Sequence, residues 1–126
     1  MRVIVSRATA AGVGVSLEVQ GDRRPLPASV DLAAFRIVQE SLTNVLRHAG
    51  TGAKAGVTII RSGGAVRVSV HDDGAGPSGR PSSTAHGIVG MRERVAAYGG
   101  TLRTGARPGG GFEVEASIPL AGQEAP

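Results

Sequence analysis

The chain has 126 residues, enough for one domain of ordinary size and little more. Hydrophobic residues make up 40% and charged residues 19%, a balance that suits a folded domain and excludes wholesale disorder. The net charge of +4 comes from scattered arginines, with Lys54 the only lysine, and not from the basic cluster interleaved with aromatics expected of a nucleic-acid binder. No apolar run approaches the ~18 residues a membrane-spanning helix needs, and no secretory leader is read in the first twenty residues. Cysteine is absent, which excludes disulfides, thiolate metal sites and cysteine nucleophiles together. Phe35, Tyr98 and Phe112 are the only aromatics, so the core must be built from Val, Leu, Ile and Ala.

In chain order, the Val/Ala-rich stretch Arg2–Ala11, ended by Gly12, reads as a helix. Val13, Val15, Leu17 and Val19 alternate with period two and predict a strand. Gly21–Pro27 is a turn, closed by Pro25 and Pro27. Ser29 reads as the N-cap of a helix of about twenty residues, with Asp31 in its first turn. Ala34, Val38, Leu42, Val45 and Ala49 form one apolar face, and Gly50 and Gly52 end the helix. Lys54–Arg61 and Ala65–His71, joined by Ser62-Gly63-Gly64, predict a hairpin. Asp72 to His86 is all turn formers and small polar residues, a loop of functional length. Gly87–Tyr98 returns to helical spacing through Ile88, Met91 and Val95, and Thr101–Ala106 with Gly111–Pro119 form a second hairpin. The predicted fold class is α+β: a two-layer sandwich whose mixed, mostly antiparallel sheet is covered on one face by helices.

Three segments can carry chemistry. Glu40, Asn44 and His48 follow one another at four-residue spacing along the long helix, with Arg47 beside them. An acid, an amide and basic groups in one file can hold Mg²⁺ and a phosphate, or can simply form a solvated face. Asp72-Asp73-Gly74-Ala75-Gly76 puts a carboxylate at a strand end before closely spaced glycines, able to accept from a ligand's amino group. By itself it is also an ordinary way to leave a strand. His86-Gly87-Ile88-Val89-Gly90-Met91 opens the second helix, where free N–H groups and the helix dipole suit phosphate, with Arg92 and Arg94 adding charge in the first turns. The P-loop and G-x-G-x-x-G patterns, zinc spacing, an EF-hand loop and a G-x-S-x-G elbow are all missing.

Order and spacing make these three a joint signal. The chain resembles the catalytic ATP-binding domain of bacterial sensor histidine kinases, in the GHKL group with the Bergerat fold. Phe35–Ala49 looks like the family's N box, Asp72–Gly76 like its G1 box, and His86–Arg94 like the G2 box of the NarL-type subfamily. Gly109–Pro119 matches the way such domains end, and the likeness covers about residues 12–120 of a single domain.

The resemblance implies binding of ATP with Mg²⁺. Asn44 would be the metal ligand, with Glu40 its acidic neighbour, reaching the ion directly or through water. Arg47, His48 and His86 would lie near the nucleotide. Asp72 would accept the adenine amino group, with Gly74 and Gly76 lining the base. Gly87, Ile88, Gly90 and Met91 would border the phosphates, and the stretch from Pro77 to His86 would be the lid.

It further implies transfer of the γ-phosphoryl group to a histidine on a separate phosphoacceptor and dimerisation hairpin, and onward passage to a response regulator. Nothing in residues 1–28 reads as that hairpin or as a sensor region. The expected setting is a cytoplasmic domain of a homodimeric parent, without nucleic acid or direct membrane contact. Other GHKL ATPases, anti-sigma-type serine kinases and a nucleotide-binding module without turnover are the alternatives.

Overall fold

The structure, a computed structural model, describes residues 1–22, 24–49, 52–74, 82–108 and 110–120, with the side chains of 48, 49 and 82–86 outside the description. In chain order the elements are α1 (Arg2–Ala10), β1 (Gly14–Gly21), α2 (Ala28–Ala49), β2 (Lys54–Ser62), β3 (Ala65–Asp72), α3 (Ser82–Ala96), β4 (Thr101–Ala106) and β5 (Phe112–Pro119). The five strands form one sheet in the order β1-β2-β3-β5-β4. β1 runs parallel to β2 with α2 as the crossover, and every other pairing is antiparallel. The α+β sandwich predicted above is the observed architecture.

Alternation along the strands decides the two faces. In β3 the residues Val66, Val68 and Val70 are buried and pair with Ile118, Ala116 and Val114 of β5, which are also buried. Val57 extends that row into β2 opposite Val70. The intervening residues, Arg67, Ser69, His71, Glu113, Glu115 and Ser117, make the other face polar, and there Arg103 of β4 pairs with Glu115 at 2.8 Å. Onto the apolar face α2 sets Val30, Ala33, Ala34, Ile37, Val38, Leu42 and Val45, and α3 sets Met91 and Val95. Ile37, Met91 and Ile118 are among the largest side chains buried completely, so an almost wholly aliphatic core suffices.

The β2–β3 hairpin closes on Gly63 and Gly64, at φ of 61° and 77°. With Ser62 paired to Ala65 this is a two-residue loop needing a left-handed conformation twice, which only glycine adopts without strain.

Two helix starts differ from the sequence reading. The Asp31 N–H donates to the Pro27 carbonyl at 2.9 Å, so α2 begins at Ala28 and Ser29 lies inside the first turn. Pro27 brings no N–H of its own, and its carbonyl takes the first helical bond. The helix α3 begins at Ser82 and not at Gly87. No proline interrupts Ser82–Ala96, and serine, threonine and glycine lower helix propensity without forbidding it once one side of the helix is packed. The last five residues of the expected lid are therefore helical, whereas residues 75–81, including Gly76, lie outside the described residues.

Candidate functional site

The end of β3 separates two adjacent aspartates onto opposite faces of the sheet. Asp73 is exposed and latches the strand ends: its Oδ1 accepts the Lys54 N–H at 2.8 Å, and its own N–H donates to the Lys54 carbonyl at 3.1 Å. Asp72 turns under the helices and is only 2% exposed. Its Oδ1 accepts the Gly74 N–H at 2.8 Å, which bends the chain sharply just after the strand. Behind it Gly111, at φ 94°, lies so close that a Cβ there would overlap the Asp72 carbonyl oxygen. Glycine at 111 thus lets the start of β5 press against the strand that carries Asp72.

Opposite Asp72, α2 contributes Ser41, Asn44 and Val45. With Val70, Val114 and Phe112 they enclose a cavity of about 10 Å³, on the order of one water. Apolar walls around one carboxylate and one amide suit the polar edge of a flat heterocycle. Roomier hollows lie elsewhere, about 170 Å³ between α1 and α2 beside Ile4, Ala8 and Leu42, and about 270 Å³ over the polar face near Arg103. The first is largely apolar and the second is open to solvent, and neither gathers the side chains that the motifs single out.

The Glu40–Asn44 file is only partly solvated: Glu40 is half-buried and Arg47 beside it is exposed. Asn44 is 6% exposed, and α3 packs against it. A Cβ built at Gly87 would stand 2.6 Å from Glu40 Oε1 and 3.6 Å from Asn44 Nδ2. One turn on, the Ser41 hydroxyl points at the Met91 sulfur, 3.8 Å away and fully buried. Gly87 therefore supplies the space in which the acid and the amide sit against a helix backbone. The oxygen donors of Glu40 and Asn44 in this cradle are the kind a hard divalent cation takes. Among the described residues no group of three His, Cys, Asp or Glu side chains gathers as a separate metal site.

The remaining expected residues divide. Gly74 lies beside Asp72, and Gly90 and Ile88 are partly exposed on α3 with nothing within 4 Å of a Cβ at Gly90. Met91 is core, reaching the site only from beneath, and Arg47 is exposed on α2. Because α3 starts five residues early, Gly87 and Gly90 sit within the helix and not at its open end, and Arg94 lies in the last turn. The side chains of His48 and His86, like Gly76, fall outside the described residues. Sequence reasoning missed Ser41, Val45, Val70, Phe112 and Val114 as lining, and Gly111 as the close approach. The period-two pattern of β3 and β5 places Val70 and Val114 on the inner face, but only the register brings them opposite one another.

Residues 29–122 match the family described as Histidine kinase-, DNA gyrase B-, and HSP90-like ATPase. The chain is 32% identical over 114 residues to the sensor histidine kinase LnrJ of Bacillus subtilis, covering 90% of this chain and 28% of that protein. It is 31% identical over 104 residues to the nitrate/nitrite sensor protein NarX of Escherichia coli, covering 82% and 17%. It thus spans less than a third of the length of these relatives. Among solved structures, the catalytic domain of histidine kinase ThkA superposes with a TM-score of 0.76 at 17% identity, over 98% of this chain and 92% of that one. The blue-light activated histidine kinase EL346 of Erythrobacter litoralis gives a TM-score of 0.71 at 26% identity, over 98% and 43%. A buried carboxylate at a strand end, an acid and amide held against a helix, and a family match across most of the chain agree: the chain belongs to the histidine kinase-, DNA gyrase B- and HSP90-like ATPases, as an ATP-binding catalytic domain of the sensor histidine kinase kind.

Proposed function

We propose that this domain binds Mg²⁺-ATP between α2, α3 and the end of β3 and donates the γ-phosphoryl group to a histidine on a separate phosphoacceptor domain. Passage of the phosphoryl group to a response regulator follows in the parent protein, whose catalytic domain works where ATP is, in the cytoplasm. The observation that carries this reading is the pairing, across one small apolar cavity, of buried Asp72 with buried Asn44.

Asp72 accepts a hydrogen bond from the exocyclic amino group of adenine, and burial sharpens its choice. Guanine presents a carbonyl oxygen at that position, which would set one acceptor against another at the buried carboxylate with no proton between them. Val70, Val114 and Phe112 supply apolar contact to the ring. The cavity is far smaller than a purine, so binding must widen it between α2 and Phe112. Asn44 and Glu40 would hold Mg²⁺, which when bound draws charge from the phosphate oxygens. Glu40 and Asn44 keep the phosphate end fixed on a rigid helix, and Gly87 lets the α3 backbone approach without a side chain between. Gly74, whose N–H is held by Asp72, keeps backbone close to the ligand.

No helix among the described residues is long and apolar enough to cross a membrane. The deciding experiment is a thermal-shift titration with ATP, ADP and GTP, each with and without Mg²⁺. Ligand that binds only the folded state raises the melting temperature. An adenine-selective, magnesium-dependent rise is expected. Equal shifts with GTP, or none at millimolar ATP, would refute the reading.

A further inference from the structure

Ser41 lines the same cavity as Asp72 and Asn44 and is only 3% exposed. It stands on α2 three residues before Asn44 and four before Val45, so the three share one face of the helix and look into one space. A buried hydroxyl is costly to leave poorly partnered. The Ser41 hydroxyl donates to the Met91 sulfur at 3.8 Å, and a thioether is a weak acceptor. Packing gives no reason for an oxygen at this position, since alanine would meet Met91 and Val45 with no polar atom to desolvate. A serine held this loosely turns to another staggered rotamer at little cost when a better acceptor arrives. Asp72 on the other side of the cavity is 2% exposed, and its carboxylate can only accept. The two side chains therefore present one donor and one acceptor between the apolar walls of Val70, Val114 and Phe112.

We propose that Ser41 is a second base-reading residue: its hydroxyl leaves the Met91 sulfur and donates to a ring nitrogen flanking the adenine amino group that Asp72 holds. The inference rests on the nucleotide reading above and deepens it by naming the other polar contact of the base. Adenine carries its amino group between two unprotonated ring nitrogens, N1 and N7, and each is an acceptor. A carboxylate alone selects an amino group. A carboxylate with a hydroxyl beside it selects an amino group next to an acceptor, and two such bonds give the ring one orientation in the cavity. Burial sharpens the choice, because a base lacking that nitrogen leaves the hydroxyl with the thioether alone.

The test titrates the wild type and Ser41→Ala by calorimetry with ATP, 1-deaza-ATP and 7-deaza-ATP, each with Mg²⁺, and follows urea unfolding as a control on the fold. The wild type is expected to bind ATP about 3–10-fold more tightly than the analogue lacking the nitrogen that Ser41 contacts, the size of one net hydrogen bond. Ser41→Ala should weaken ATP by about the same factor and leave that analogue unchanged, so the variant no longer tells the two apart. The other deaza nucleotide should follow ATP in both chains, which identifies the nitrogen. The unfolding midpoint should stay close to the wild type, because only a weak sulfur contact is lost. Equal affinity of the wild type for all three nucleotides overturns the proposal without any variant. Unchanged ATP affinity in Ser41→Ala also overturns it, as does an equal loss for all three, which would make Ser41 a packing residue. A wild-type chain that binds none of the three overturns the nucleotide reading itself, and the role of Ser41 with it.

Discussion

Gly87 and Gly90 stand three residues apart in α3 and should respond in opposite ways to the same methyl group. Replacing glycine by alanine inside a helix favours the helix by about 0.5–1 kcal/mol, because alanine loses less backbone freedom on folding. At Gly90 nothing lies within 4 Å of the added Cβ, so the gain is undiluted. Gly90→Ala should raise the melting temperature by roughly 2–4 °C for a chain this size and leave Mg²⁺-ATP affinity within about twofold. At Gly87 the methyl would stand 2.6 Å from Glu40 Oε1. That oxygen is the end of a flexible side chain and moves away at a cost of up to about 1 kcal/mol of rotamer strain, which cancels the helix gain. Gly87→Ala should therefore fold with nearly wild-type stability but hold Glu40 away from Asn44, and Mg²⁺-ATP affinity should fall about 10–100-fold, as when a metal ligand loses its support. Urea unfolding without nucleotide, and calorimetric titration with ATP in magnesium and in EDTA, separate the two effects. Wild-type affinity in Gly87→Ala would refute the placing of Glu40 in the site. Failure of Gly90→Ala to stabilise would refute an unhindered helix at that position.

Other outcomes follow from the same geometry. Asp72→Ala should abolish measurable ATP binding while circular dichroism stays native, and an unfolded variant would make Asp72 structural. Asn44→Ala should make the remaining nucleotide affinity insensitive to Mg²⁺, and an undiminished magnesium effect would move the metal to other ligands. Gly111→Ala, which combines φ of 94° with steric overlap on the Asp72 carbonyl, should cost more than about 2 kcal/mol in urea unfolding, and near-neutral behaviour would refute that close approach. The Asp22 carboxyl is lowered to about 2, first by side-chain hydrogen bonds from Arg24, whose Nη2 lies 2.6 Å away, and then by the Arg24 backbone N–H. A depressed carboxylate supports the folded state fully above its ordinary pKa, and that support is lost as pH falls through about 2. Carboxyl NMR should find the low midpoint in the wild type and a return to the ordinary range in Arg24→Ala; identical midpoints would refute the pairing.

Much of the fold is legible residue by residue because it rests on local rules. The period of Ala34, Val38, Leu42 and Val45 specifies one buried face of α2, and all four are buried. Gly63-Gly64 specifies the β2–β3 turn, since two successive left-handed residues admit little else. The alternation in β3 and β5 specifies which residues face the helices, and the order of the three boxes specifies the family.

Elsewhere distant parts of the chain decide. Periodicity shows a single apolar stripe on α2, so Glu40 and Asn44 read as polar surface, yet the docking of α3 buries Asn44 and sets Gly87 against both. The same docking offsets the weak propensity of Ser82–His86, and α3 begins where the sequence shows only loop. Asp72 and Asp73 are chemically the same, and either can end a strand. Which one enters the site is fixed by the pleat of β3 and its register with β2. Composition and spacing therefore determined the elements and the kind of chemistry, because hydrophobic period, turn conformation and side-chain type are local properties. Only tertiary structure decided the depth of Asn44, the closeness of Gly111 to Asp72 and the meeting of Ser41 with Met91 between α2 and α3. Each of these depends on residues far apart in sequence being brought within a few ångströms, and burial and distance belong to the packed chain.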